Sequence, residues 1–248
     1  VRARPWRLIL DTAAAPAWNM AVDEVLLARY TGEGLEPPTL RLYGWSKAAL
    51  SLGRTQTPPG GADVPIIRRP TGGHAVLHDD ERTYAVAGGL RRDPFPGGVL
   101  DTYGRIAAAL VAGLRRLGLE VERAAPAGRR EEPWASSCFD QLGTHEIAWQ
   151  GRKLVGSAQV RRHRGFLQHG SLPRSLLPER LGAVLGEPVR PERFVDLARA
   201  LGRAPSDQEI DRALIAGFEE AFGCAFEEDA LAEGERRAAE LLAHTKYA

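Results

Sequence analysis

The spacing of apolar residues changes period several times along the chain, and each change marks a predicted element. "WRLIL", from Trp6, reads as a short strand. "APAWNMAVDEVLLARY" follows as a helix, with Pro16 in its first turn and Trp18, Ala21, Val22, Val25 and Ala28 at helical spacing. Its other face is expected to carry Asp23 and Arg29. "TLRLYGW", "AALSLG", "VPIIRR", "HAVLHD" and "TYAVAGG" are short strand-like segments separated by Gly, Pro and Asp punctuation. "LDTYGRIAAALVAGLRRLG" predicts a helix with Asp101 as N-cap and Gly118 as stop, and "LEVERA" a returning strand. After the polar loop "APAGRREEPW", the stretch from His145 to Pro173 predicts a three-stranded antiparallel meander with turns near Gly151-Arg152 and His163-Arg164-Gly165.

The remainder turns helical. Ser206 and Glu209 form a capping box ahead of a face made by Ile210, Leu214, Phe218, Ala221 and Phe222, and "DALAEGERRAAELLAH" predicts a last helix. Strands grouped first, with helices around and after them, imply an α+β fold rather than repeated βαβ units. A chain of 248 residues, 44% hydrophobic and 26% charged, suits one large globular domain, residues 1–248, and shows no internal repeat or clear linker.

Thirty-three basic residues against thirty-two acidic ones leave a net charge of +1, so bulk attraction to nucleic acid or an anionic membrane is not expected. Two cysteines are too few for a disulfide framework, no secretory signal opens the chain, and no apolar run reaches the ~18 residues of a membrane span. A cytoplasmic protein is the expectation. Charge type is more telling than net charge, because only Lys47, Lys153 and Lys246 are lysine against thirty arginines. Lysine is a compact charge whose proton can be lost, so a site that needs one resists replacement by arginine.

Four segments could carry chemistry. "RRPTGGHAVLHDD", residues 68–80, is either a turn with solvated charges or a ligand loop, in which glycine admits close backbone approach and paired arginines position an anion or a carbonyl. His74 and His78 do not suggest a metal centre, since four positions along a strand separate them by ~13 Å. Cys138, in "PWASSCFD", is either a small buried hydrophobe, as Cys224 is expected to be, or a loop thiol activated by a cation, for which Lys153 is the candidate. The other reading of Lys153 is a surface residue beside a hairpin turn. "GSAQ", 156–159, and "FLQHGSL", 166–172, place small and polar residues within neighbouring strands, as a lined slot or a bulged edge would.

Over nearly its whole length the chain resembles the lipoate-protein ligase and octanoyltransferase superfamily, related in fold to biotin-protein ligases. The resemblance rests on "WRLILDTAAAPAWNMAVDEVLL", "RRPTGGHAVLHDDERTYAV", "GRKLVGSAQVRRHRGFLQHGSL" and "TKYA", in that order. ATP-using ligases of the superfamily usually carry three glycines where this chain has Gly72-Gly73-His74, and "SSCFD", fifteen residues ahead of the lysine of "KLVGSAQ", is similar to the LipM-type octanoyltransferase branch. His74 departs from the Arg or Gly expected there.

The resemblance implies a biotin/lipoyl-ligase-like catalytic domain of mixed, largely antiparallel sheets flanked by helices. It also implies an N-octanoyltransferase of lipoate biosynthesis, with Cys138 as nucleophile and Lys153 as its activating cation. Arg69, Gly72, Gly73 and His78 would wall the acyl site, faced by Gly156, Ser157 and Ala158. The implied donor is acyl carrier protein with its phosphopantetheine arm. The acceptors are lipoyl domains, such as the glycine-cleavage H protein and E2 subunits, and neither ATP, another cofactor nor a metal is required. An ATP-dependent lipoate-protein ligase, an amidotransferase between lipoyl domains and a non-catalytic carrier-binding protein are the competing expectations.

Overall fold

The computed structural model describes residues 5–32, 36–91, 93–123 and 146–248. The opening apolar run extends into β1 (Trp6–Ala14), and Pro16 occupies the first turn of α1 (Pro16–Arg29). Five strands follow: β2 (Thr39–Trp45), β3 (Ala49–Leu52), β4 (Ile66–Arg68), β5 (Val76–His78) and β6 (Glu81–Gly89). Next come α2 (Val99–Arg116), the short β7 (Glu122–Arg123), and the predicted meander as β8 (Ile147–Trp149), β9 (Arg152–Arg162) and β10 (Gly165–Pro173). The chain continues through α3 (Pro178–Leu185), α4 (Leu197–Leu201), α5 (Asp207–Phe222), β11 (Phe226–Glu228) and α6 (Glu233–Thr245).

Eight strands form one mixed sheet in the order β11-β1-β2-β6-β10-β9-β8-β7, with β1 parallel to both of its neighbours and the remaining pairs antiparallel. A second sheet, β4-β3-β5, joins β3 to β4 in parallel and to β5 antiparallel. Side-chain alternation divides the large sheet. Leu42, Tyr84, Val86, Phe166 and Leu172 pack with Ile106 and Leu110 of α2 and Leu214 and Phe218 of α5. Tyr43, Ala85, Ala87 and Leu167 pack on the other side with Met20, Val22 and Leu26 of α1 and Ala239 of α6. The small sheet builds a third cluster from Leu50, Leu52 and Leu77 with Leu181 and Leu185 of α3. Each fully buried aliphatic or aromatic side chain of these layers contributes roughly 1.5–3 kcal/mol.

The structure corrects several local expectations. Gly98, not Asp101, is the N-cap of α2, and Asp101 lies at the third helical position, where its carboxylate accepts the Gly98 N–H at 2.7 Å. This is the half of a capping box that needs no side chain on the cap residue. Ser206 caps α5 as expected, but Ala221 is exposed. The buried face of α5 instead passes through Ala213 and Gly217, because the helix crosses α2 where Gly217 meets Gly113: a Cβ on Gly217 would lie 2.3 Å from the Gly113 nitrogen. No described helix is long and apolar enough to cross a membrane.

Candidate active site

A pocket opens between the small sheet, the turn after β4, strands β9 and β10, and α1. Arg69, Gly73, His78, Gly156, Ser157 and Ala158 all line it, so the two separate segments picked out in the sequence meet around one space. Register explains the second segment: Gly156, Ser157 and Ala158 of β9 pair with Ser171, Gly170 and His169 of β10, giving a wall of small residues in the middle of the sheet. The slot reading therefore replaces the bulged edge. Gly72 is not among the described residues lining it; its carbonyl accepts from Arg69 instead.

Arg69 is buried and bound to its own loop. Nε donates to Thr71 Oγ1 at 3.1 Å and to the Gly72 carbonyl at 3.2 Å; Nη1 reaches the Ser51 carbonyl at 2.9 Å and Ser51 Oγ at 3.1 Å. Nη2 reaches the carbonyls of Gly72 at 2.8 Å and His74 at 2.6 Å. A guanidinium has five N–H donors, and these contacts occupy all three nitrogens. Arg68 likewise donates to the carbonyls of Gly53, Arg54 and Gln56. The arginine pair thus shapes the turn rather than solvating its surface. Gly73 has φ +90° and its carbonyl packs on Gly53, where a Cβ would approach to 1.9 Å, so both glycines are demanded by the turn.

Two carboxylate–imidazole–hydroxyl chains leave Arg69 in opposite directions. In one, Thr71 Oγ1 lies 2.8 Å from His169 Nε2, and His169 Nδ1 lies 2.8 Å from Asp23 Oδ2. In the other, Ser51 Oγ lies 2.7 Å from His78 Nε2, and His78 Nδ1 lies 2.8 Å from Glu81 Oε1. An ionised carboxylate only accepts, so Nδ1 of each ring carries hydrogen. Trp45 stacks on His78 with ring centroids 3.9 Å apart and donates to Thr83 Oγ1, fixing the second chain further.

Asp23 is the largest departure from the sequence reading, which put it on the exposed face of α1. It is wholly buried, because its side of α1 faces the sheet, where Arg41 and Tyr43 of β2 and His169 of β10 close on the carboxylate. Its Oδ1 accepts from Arg41 at 2.9 Å and its Oδ2 from the Tyr43 hydroxyl at 2.9 Å. Burial pushes its carboxyl up, yet the His169 hydrogen bond and the Arg41 charge outweigh that and hold it below the usual range. The same burial, with the Asp23 charge, raises Tyr43 well above an ordinary phenol. Asn19, one turn before Asp23, donates to the Gly44 carbonyl at 2.9 Å. Two polar residues four apart beside Met20 were the available signal that this face is not solvated.

The family model for the lipoyl protein ligase A/B catalytic domain matches residues 15–219. The chain belongs to this family. It is 41% identical to an octanoyltransferase LipM of Kyrpidia tusciae, over 96% of this chain and 94% of that one, and 40% identical to an octanoyltransferase LipM of Moorella thermoacetica, over 99% and 96%. In fold it superposes with a TM-score of 0.81 on a putative lipoate protein ligase from T. acidophilum solved with bound lipoic acid, at 24% identity over 98% of this chain and 96% of the other.

Within this lipoyl protein ligase A/B domain, Lys153 is 1% exposed, which removes the surface-lysine reading. Its ammonium pairs with the Glu146 carboxylate, and its carbonyl accepts the Val195 N–H at 2.9 Å. It lies on β9 three residues before Gly156, or ~10 Å along the strand, and is not among the described residues lining the cavity. Cys138 lies outside the described residues. Cys224 is half-buried beside the Phe218 carbonyl, and burial pushes its thiol up to about 11, in keeping with the inert role expected of it. Lys246 is a surface residue paired with Glu24.

Proposed function

We propose that the chain is an octanoyl-[acyl-carrier-protein]:protein N-octanoyltransferase of lipoate biosynthesis. The observation that carries the reading is the near-full-length, 41% identical relationship to an octanoyltransferase. The pocket supports it, since small residues on two adjacent strands leave room for an unbranched acyl chain.

In this reading the Cys138 thiolate attacks the octanoyl thioester carbonyl, the carbonyl–sulfur bond to phosphopantetheine breaks, and the departing thiolate takes up a proton. The ε-amine of a lysine on a lipoyl domain then attacks the S-octanoyl group, expels the Cys138 thiolate and loses a proton to give the amide. Thioester exchange is nearly isoenergetic and amide formation from a thioester runs downhill, so the sequence needs no ATP. Lys153 would favour the thiolate and polarise the acyl carbonyl, with Glu146 holding the ammonium in place. Arg69, with Gly72 and Gly73, would hold the turn against the acyl group, while His78 would fix the adjoining wall.

The test is incubation with octanoyl-carrier protein and a lipoyl domain in the absence of ATP. A gain of one octanoyl group on Cys138, followed by its appearance on the acceptor lysine, is the expected result. Transfer that requires ATP would assign a ligase instead, and full transfer by Cys138→Ser would overturn the mechanism.

A further inference from the structure

Among the cavity-lining side chains, three are sizeable and largely apolar: Met20, Tyr43 and Val76. They differ in freedom. Tyr43 is held at its hydroxyl by Asp23 at 2.9 Å and along its ring by the Arg41 guanidinium, 4.0 Å from the centroid. Val76 is short, branched and built into the centre of the small sheet's cluster. Met20 is the only methionine of the chain, an unbranched side chain with three rotatable bonds, and it is 1% exposed although it borders an open space.

The backbone that carries Met20 has no such freedom. Its neighbour Asn19 is bound through its carbonyl to Arg41 at 3.2 Å and through its side chain to Gly44 at 2.9 Å, and Asp23, one turn on, is bound to Arg41, Tyr43 and His169. A buried polar network therefore fixes this turn of α1 against β2 and β10, leaving the thioether as the adjustable element. Gly73, Gly156, Ala158 and Gly170, which line the same pocket, offer little or no side chain.

We propose that Met20 sets the length of acyl chain that the cavity accepts. The proposal rests on the octanoyl-transfer reading and adds the residue that selects the chain. A change of one buried methylene alters affinity about fourfold, so vacating or filling room for two of them shifts a preference by roughly 15-fold.

The experiment measures binding of hexanoic, octanoic and decanoic acids to the full chain by calorimetry, alongside transfer from the matching acyl-carrier thioesters. Met20→Ala is expected to raise the affinity ratio of decanoic to octanoic acid about 15-fold, and Met20→Phe to lower the ratio of octanoic to hexanoic acid by a similar factor. The two variants press in opposite directions, so failure of one to fold leaves the other as the test. Ratios equal to those of the unmodified chain in the folded variants overturn the proposal. Absence of octanoyl transfer by the unmodified chain overturns the functional reading instead, and the fatty-acid ratios still report on Met20.

Discussion

Asp23 of α1 and His169 of β10 share a hydrogen bond of 2.8 Å inside the protein, and Asp23 is fully closed to solvent. Through it the helix that carries Met20 is tied to the strand that lines the cavity. The same carboxylate also accepts from Arg41 and Tyr43, so one buried charge holds three elements. Such a group is costly to desolvate and costlier to leave half-paired.

Replacing Asp23 with Asn is therefore expected to destabilise the fold by about 3–5 kcal/mol, because Arg41 loses a buried partner and the amide cannot accept at both positions. The loss depends on pH in a definite direction. The Asp23 carboxyl is held below its ordinary value in the folded chain, so its contribution is complete above the unfolded-state value of ~3.9 and is lost as pH falls through the lower folded value. Urea unfolding at neutral and acid pH checks this: the gap between the two proteins should narrow below about pH 4.

Arg69→Lys is expected to weaken the turn despite keeping its charge. An ammonium has three donors and no planar fork, and it cannot serve Thr71, Gly72, His74 and Ser51 together. A stability loss of about 2 kcal/mol and a roughly tenfold rise in KM for the acyl donor are expected, read by thermal unfolding and transfer kinetics.

Periodicity carried much of the fold. The capping box at Ser206, the meander turns and the span of β2 follow from local rules that hold without tertiary help. The buried polar chains do not. Thr71 and Ser51 look like ordinary turn and strand residues until Arg69 gathers them, Glu81 until His78 reaches it, and Asp23 looks solvated until α1 packs on β2 and β10. Those relations join residues as many as 146 positions apart, as between Asp23 and His169, which no local pattern encodes. The small residues at 156–158 and 170 were legible as a slot because glycine within a strand weakens it unless something comes close. Met20 was not among the apolar positions that marked α1 in the sequence.

Lys153 and Glu146 allow structural and chemical roles to be separated. Lys153→Ala takes the buried ammonium away from the half-buried Glu146 carboxylate and is expected to lower stability together with transfer. The paired change Lys153→Met with Glu146→Leu removes both charges and should recover most of the stability, while transfer remains about 10²–10⁴-fold lower. Thiol alkylation followed over pH gives the independent readout. The Cys138 reaction should move to higher pH in the paired variant, whereas Cys224, pushed up to about 11, stays slow throughout.

Two glycines distinguish a packing contact from a wall of the cavity. A Cβ on Gly217 would sit 2.3 Å from the Gly113 nitrogen and 2.5 Å from the Ala109 oxygen, so Gly217→Ala forces α5 away from α2. Overpacking of this kind costs about 1–3 kcal/mol. Gly217 does not line the cavity, and KM for the acyl donor should stay at its original value while the unfolding temperature falls. At Gly170 a Cβ would meet Tyr84 Cε1 at 2.4 Å, the Gly156 carbonyl oxygen at 2.6 Å and Ser157 Oγ at 2.9 Å. Two of those three atoms belong to β9 residues that line the cavity, so Gly170→Ala cannot be relieved without moving its wall. Both variants should unfold at lower temperature, and only Gly170→Ala should also raise KM. Equal kinetic effects from the two would show that the sheet transmits α5 displacement to the site, and that β9 does not set the cavity wall locally.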